Sequence, residues 1–378
     1  MKIHLSKSQW ILLAIVAVVF AAHMFIIGQP FREYVYDESF YVPAAKALIN
    51  GSVSNAEHPP LAKAAIALGI LIFGDNGMGW RILTVLAGTL TIVLVYYIVR
   101  NLGGNEKIAL IAAFLLGFEN LWFTHSSIAM LDIIAVFFST LGILLFILGK
   151  KIWAGIVLGF AMLSKETMIF ILPILLIYDV LQQKKKSWKA IKPLLAKTFL
   201  PAFVIFILGL WVYDFTYGAF PTPVQHVGKI FVTQDVIESM NVSNVVSPLN
   251  WFVSFKPEPY FIKTYTINDV KHTVEQYRGQ PNMLFIWLAW LSIPFAWSAV
   301  RKKKPLELLN ILIILLLYVT FIVISLKRVT YPFYMLQFIP SLAIINAVFL
   351  SKMPKSLLIL YCTGVLAWFV WHFPINLF

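Results

Sequence analysis

Ionisable side chains are scarce in this sequence. Apart from a few lysine clusters they gather beside apolar runs, as Asp37-Glu38, Glu57-His58, Lys63, Arg81, Glu119, His125, Asp132, Lys165-Glu166 and Lys327-Arg328. At membrane depth such a group is costly unless a partner, water or a function explains it. Carboxylates, a histidine and several cations around one membrane-surface pocket suit a reaction on a phosphate-linked lipid. The cations would hold the donor phosphate and stabilise the charge that grows on it as it leaves. A carboxylate would take the proton of an incoming hydroxyl, because an alcohol is a poor nucleophile until its proton has somewhere to go. A second carboxylate could stabilise an oxocarbenium-like sugar centre, by analogy with glycosidases. The chemistry this predicts is sugar transfer from a polyprenyl phosphate.

The elements that must position these groups follow from composition. Of 378 residues 60% are apolar and only 12% charged, against roughly 25% charged in an average soluble domain, which excludes a water-soluble globule. Apolar runs recur at the length set by a ~30 Å hydrocarbon layer. They predict an all-α polytopic membrane protein with about eleven spans, a single domain over 1–378. The first span runs from Gln9 to Gly28, and the others fall near 80–99, 107–119, 128–149, 152–164, 167–181, 194–213, 283–300, 306–326, 332–350 and 356–374. With a cytoplasmic N-terminus, 18 Lys/Arg and three acids lie inside, including Lys184-Lys185-Lys186 and Arg301-Lys302-Lys303-Lys304, while 12 Lys/Arg and 14 acids lie outside. The net charge of +13 therefore records orientation and does not call for a nucleic-acid partner. The C-terminus, Asn376 to Phe378, then ends outside. Lys327-Arg328 is the one basic pair at a tight outer turn, against this bias.

Two outer loops, 29–79 and 214–282, exceed the length of connectors. In the first, Ser39 to Asn50 sets Phe40, Ala44, Ala47 and Leu48 on one helical face, and Gly51 ends it. Pro59-Pro60 opens a second helix, Leu61 to Phe73, closed by Gly74 and too short to cross a membrane. Both are expected to be interfacial helices. The second loop, rich in Tyr, Pro, Asn and Thr, is expected to form an ordered cap.

Several pieces occur in the order seen in the dolichyl-phosphate-mannose protein O-mannosyltransferases. They are Asp37-Glu38, Glu57-His58-Pro59-Pro60-Leu61-Ala62-Lys63, Arg81-Ile82-Leu83, Phe118-Glu119-Asn120, Met130-Leu131-Asp132 and Ser164-Lys165-Glu166. Arg278-Gly279-Gln280-Pro281-Asn282 and Arg328-Val329-Thr330-Tyr331-Pro332-Phe333-Tyr334 are similar to that family's C-terminal half. The resemblance implies the GT-C fold of membrane glycosyltransferases. It also implies inverting transfer of mannose from dolichyl phosphate to Ser or Thr hydroxyls of proteins, at the extracytoplasmic face and without a cofactor. It gives Asp37 the base role and Glu38 a supporting or substrate-orienting one, with Glu57, His58, Lys63, Arg81, Asp132, Lys165 and Arg328 as substrate-binding candidates. Two departures stand out. His125-Ser126-Ser127 replaces the Q-S-R stretch of the eukaryotic enzymes, and the 214–282 loop is too short for their MIR domain. Both resemble a compact prokaryotic, archaeal-type member.

Plainer readings stand beside these. Asp37-Glu38 could be the acidic start of a helix, His58 could bond loop backbone, and Asp132 could pair with Arg81 or Lys165. Asp37, Glu57 and His58 could instead ligate a divalent ion. His23 reads as a core histidine, Asn241-Val242-Ser243 is a chance-level sequon, and Cys362 stands alone. The rival enzyme is an aminoarabinose-transferase-like protein acting on a lipid or glycan. A transporter is a rival from another class, opposed by the lack of repeats and of midplane charges. The expected partners are the lipid donor, a Ser/Thr-containing protein and membrane lipids, and the sequence leaves dimerisation open.

Overall fold

The computed structural model describes residues 5–183, 188–236, 247–253, 257–267, 270–327 and 329–375. Lys184-Lys185-Lys186, the Asn241 triplet, Arg328 and the segment Asn376 to Phe378 lie outside them. The described residues are mostly helical, apart from the cap and the turns of the first loop. After α1 (Lys7–Ile26), α2 (Glu38–Ile49) and α3 (Leu61–Phe73) come α4 (Gly77–Asn101), α5 (Glu106–Gly117) and α6 (Asn120–Ser126). Next are α7 (Leu131–Ile147), α8 (Lys151–Ser164), a 3-10 turn Glu166–Phe170, α9 (Ile171–Gln182), α10 (Trp188–Leu194), α11 (Leu200–Tyr217) and α12 (Pro223–Val236). Past the cap follow α13 (Met283–Trp287), α14 (Ala289–Arg301), α15 (Pro305–Ser325), a 3-10 turn Pro332–Gln337, α16 (Ile339–Leu350) and α17 (Lys355–Trp371).

The chain is a multi-pass membrane protein. Every apolar run read as a span lies on helix, but length sorts them. Among the described residues five helices are long and apolar enough to cross a membrane, and α5 with α6, bent by 63°, would make a sixth. Leu131–Ile147, Lys151–Ser164, Ile339–Leu350 and Lys355–Trp371 are shorter apolar helices. The bend at Glu119 has a cause: its carboxylate caps α6 by accepting from Trp122 N (2.6 Å) and holds Asn282 N (2.7 Å) across the fold. A buried acid saturated by backbone amides in this way ends one helix and starts the next.

The two helices of the first loop form where expected, and Gly51 and Gly74 carry the positive φ that stops them. The buried face of α2 differs from the one read from sequence: Tyr41, Val42, Ala44, Ala45 and Leu48 are buried while Phe40 is 62% exposed. Residue 41 therefore faces the core and residue 40 faces away. α3 packs on α4 at close range because both contact positions lack side chains. A Cβ on Gly69 would sit 2.2 Å from the carbonyl oxygen of Gly79.

The all-α expectation needs one correction. The cap carries an antiparallel hairpin, β1 (Glu258–Ile267) and β2 (Val270–Gly279), in register from Glu258 opposite Gly279 to Ile267 opposite Val270. Its strands are rich in Tyr, Thr, Ile and Val, which favour extended backbone. The hairpin is tied to the first loop: Tyr36 N donates to Tyr260 O (3.0 Å), and Tyr277 Oη donates to Ile26 O (3.1 Å) and Gln29 O (2.7 Å).

Candidate active site

Glu38 and Arg81 set the scaffold. Both are fully buried. Arg81 reaches from α4 with Nε to Glu38 Oε1 and Nη2 to Oε2, each at 2.7 Å. Its remaining donors bond the carbonyls of Ile27, Gln29 and Glu33. The Glu38 oxygens also accept from Val35 N (2.8 Å) and Ala129 N (2.7 Å). This forked, backbone-saturated pair leaves no donor or acceptor for a ligand. Glu38 as a substrate-orienting group, and Arg81 as a substrate contact, are thereby corrected; what the geometry leaves Glu38 is the supporting role, since the two fold residues 27–38 into a rigid arch.

Asp37 sits at the end of that arch. It is the N-cap residue of α2 by position, yet its helical backbone angles (φ −71°, ψ −3°) leave its side chain making no capping bond. The carboxylate accepts no hydrogen bond from the described residues, and it lies within the field of Lys165, Asp132, His58 and Glu258. Burial pushes its pKa up to about 6, against the downward pull of Lys165 and His58. Asp37 and Glu38 do stand at the acidic start of α2, but Asp37 caps nothing there, and an unengaged carboxylate of raised pKa beside a cation has the properties of a general base.

Around it stand two pairs. Lys165, at the break between α8 and the following 3-10 turn, donates to Asp132 Oδ1 at 2.5 Å, and both are buried. The Lys165 ammonium also lies 4.8 Å from the Tyr334 ring centroid and 5.3 Å from that of Phe333, so the second 3-10 turn closes over it. Of the two partners left open for Asp132, the structure selects Lys165. His58 Nδ1 stands 3.4 Å from Glu166 Oε2, with its ring edge-on to Tyr41 at 6.0 Å.

Lys63 directs two of its ammonium donors to the backbone carbonyls of Asn55 and His58 (2.8 Å to the latter) rather than to an acid of this group. Glu57 turns to Asn55 Nδ2 (2.9 Å). Among the described residues no three His, Cys, Asp or Glu side chains form a metal-holding group, so Asp37, Glu57 and His58 do not converge as a ligand set. Arg328 lies outside the described residues.

The cap contributes residues that sequence reasoning did not single out. Tyr260 from β1 stacks on Tyr36 with centroids 4.1 Å apart, and its hydroxyl meets His125 Nε2 at 2.8 Å. Tyr36 Oη donates to Glu258 Oε1 at 2.9 Å. The signal was in the Arg278-Gly279-Gln280 segment: a Cβ on Gly279 would stand 2.2 Å from the Tyr260 hydroxyl and 2.3 Å from its Cζ. Gly279→Ala is accordingly expected to push Tyr260 off His125 and Tyr36, costing about 1–3 kcal/mol of stability, read as a lowered Tm of the purified protein. An unchanged Tm would show that the hairpin gives way freely.

An apolar groove of about 390 Å³ runs between α9 and α15, lined by Phe170, Pro173, Ile174, Ile177, Val319 and Val323 among others. Its Phe170 end closes the 3-10 turn that starts at Glu166, beside Lys165.

Residues 57–211 match the family described as dolichyl-phosphate-mannose-protein mannosyltransferase. A polyprenol-phosphate-mannose–protein mannosyltransferase of Corynebacterium glutamicum is 39% identical over 119 residues, 28% of this chain and 23% of that protein. The match thus spans about a quarter of that relative's length. The fold is that of the S. cerevisiae protein O-mannosyltransferase Pmt1-Pmt2 complex bound to the sugar donor (TM-score 0.79, 11% identity, 99% of this chain and 90% of that one). It is likewise that of ArnT from Cupriavidus metallidurans bound to undecaprenyl phosphate (TM-score 0.66, 17% identity, 92% and 61%).

Proposed function

We propose that this chain, whose residues 57–211 match the dolichyl-phosphate-mannose-protein mannosyltransferase family, moves mannose with inversion from a polyprenyl phosphate to Ser or Thr hydroxyls of proteins. The observation that carries the reading is the unengaged Asp37 carboxylate, of raised pKa, next to the buried Asp132–Lys165 pair. The acceptor oxygen attacks the anomeric carbon as its proton passes to Asp37. The bond from that carbon to the phosphate oxygen breaks, and the lipid phosphate leaves with the electron pair. Lysine has three ammonium donors, of which Asp132 takes one, so the others can meet the departing phosphate. Arg328 is a second candidate for that phosphate.

The groove between α9 and α15 suits the prenyl chain: its lining is almost wholly apolar, and it includes Phe170, the last residue of the 3-10 turn that follows Lys165. The Lys/Arg asymmetry of the sequence supports a cytoplasmic N-terminus and an extracytoplasmic active site. The test supplies protein in lipid nanodiscs with mannosyl-phosphoryl-polyprenol and a Ser/Thr-rich peptide. The expected product is a mannosylated peptide whose anomer is opposite to that of the donor. A retained anomer, or sugar appearing only on a lipid or glycan acceptor, would overturn the reading.

A further inference from the structure

The segment that presents His58 is held by its carbonyls. Lys63 takes those of Asn55 and His58, and Asn55 itself has a positive φ of 53°. The carbonyl between them, that of Ala56, is taken from the opposite side by His226 of the cap helix α12, Nε2 to O at 3.1 Å. The other nitrogen of the same ring, Nδ1, lies 2.8 Å from Oδ1 of Asp214 in the last turn of α11. Both side chains are buried, and the imidazole is stacked on Phe220 with centroids 4.4 Å apart. Asp214, His226 and Phe220 are not among the residues of the site described above.

We infer that Asp214 and His226 form a proton-holding clasp that fastens the cap to the Asn55–His58 turn and so positions His58 against Glu166. A neutral imidazole has one N–H, while here both ring nitrogens face acceptors, a carboxylate oxygen and a peptide carbonyl. Making both contacts takes one proton more than a neutral ring beside an ionised carboxylate provides. That proton completes an imidazolium–carboxylate pair, or sits on the carboxyl and is donated to Nδ1; in either arrangement Nε2–H remains for Ala56. When the pair loses the proton, one contact must go: either Nε2 presents a lone pair to Ala56 O, or Nδ1 presents one to the carboxylate. The other ionisable groups facing the clasp are Glu57 on the same turn, Lys63 from α3, and Tyr213 and Tyr217 from α11. Of these Lys63 is the only cation and opposes the extra proton.

The clasp deepens the proposed transferase reading, since it matters for turnover only if His58 serves that site, but its geometry is testable without turnover. The informative pair of variants is His226→Ala and Asp214→Asn, in the full chain in nanodiscs. In Asp214→Asn the new side-chain amide can donate to Nδ1 while the neutral ring donates from Nε2 to Ala56, so this variant keeps both contacts without needing the extra proton. Hydrogen exchange of peptides spanning residues 52–58 is measured from pH 5 to 8 and divided by intrinsic rates. His226→Ala is expected to raise exchange about tenfold, the effect of losing one buried contact, and to lower kcat about 10-fold or more with donor KM unchanged. Asp214→Asn is expected to keep wild-type protection at low pH and to abolish the loss of protection that wild type shows as pH rises. Unchanged exchange in His226→Ala, or equal loss in both variants, overturns the clasp. Exchange as expected in a protein that transfers no mannose would leave the clasp standing and sink the transferase reading alone.

Discussion

Replacing Asp37 with asparagine should reduce transfer by about 10²–10⁴-fold, the range associated with losing a positioned general base. The amide nearly matches the carboxylate in shape but cannot take the hydroxyl proton, and neither donor contact at Lys165 nor the Glu38–Arg81 arch depends on it. Donor KM should therefore hold or fall slightly, since an acid facing the lipid phosphate has been neutralised. The wild-type pH profile carries the same information. The base must be ionised, so kcat/KM rises with pH through about 6 and levels above it.

Stability runs the other way. The folded state holds the Asp37 proton up to about 6 where an ordinary aspartate releases it near 3.8. Between those values it binds more protons than the unfolded chain, and the group's contribution to stability declines as pH rises. Asp37→Asn should melt no lower than wild type at pH 7, so lost activity cannot be assigned to unfolding. A variant retaining a tenth or more of wild-type kcat removes Asp37 as the base.

Much of this site was legible because it rests on local signals. Pro59-Pro60 before an apolar run and Gly74 after it mark α3, and α3 lies where they put it. Asp132 in the first turn of an apolar helix required a cation, and Lys165 at the next helix break is that cation. The misreadings are all long-range. Nothing local distinguishes Asp37 from Glu38, two adjacent acids. What separates them is the arch closed by Arg81, 43 residues after Glu38, and by Ala129. The choice of Tyr41 over Phe40 as the buried ring is likewise made by the partners of α2, since the helical period tolerates a stripe shifted by one residue. Tyr260 and Glu258 could not be placed from sequence because they enter on a hairpin. The Asn268-Asp269 pair, between a run rich in Tyr, Thr and Ile and one carrying Val270, Thr273, Val274 and Tyr277, was its short-range mark. His226 gives no signal at all: its partners are a carbonyl 170 residues away and an acid, Asp214, at the other end of a turn in the same outer loop.

The Asp132–Lys165 pair permits a test that separates structure from chemistry. Lys165→Met removes the cation and leaves Asp132 buried without it, a change that typically costs about 3–5 kcal/mol. The same substitution removes the donors proposed for the leaving phosphate, with an expected loss of about 10²–10³-fold in kcat/KM for the lipid donor. One variant therefore suffers both defects, and its inactivity alone would prove little. Adding Asp132→Asn removes the stranded charge. The two residues share one hydrogen bond, so their effects on stability should be strongly non-additive, the double variant recovering most of the lost Tm. Transfer should not recover with it, since no cation returns to the phosphate. If the double variant regains both Tm and transfer, Lys165 serves only to neutralise Asp132, and the donor phosphate must be held elsewhere. If Tm returns while donor use stays low, charge compensation and phosphate recognition are two duties of one ammonium. Its placement at a helix break, with aromatic rings above and one acid beside it, then follows from the second duty: a purely structural partner for Asp132 could have sat one turn away on the same helix.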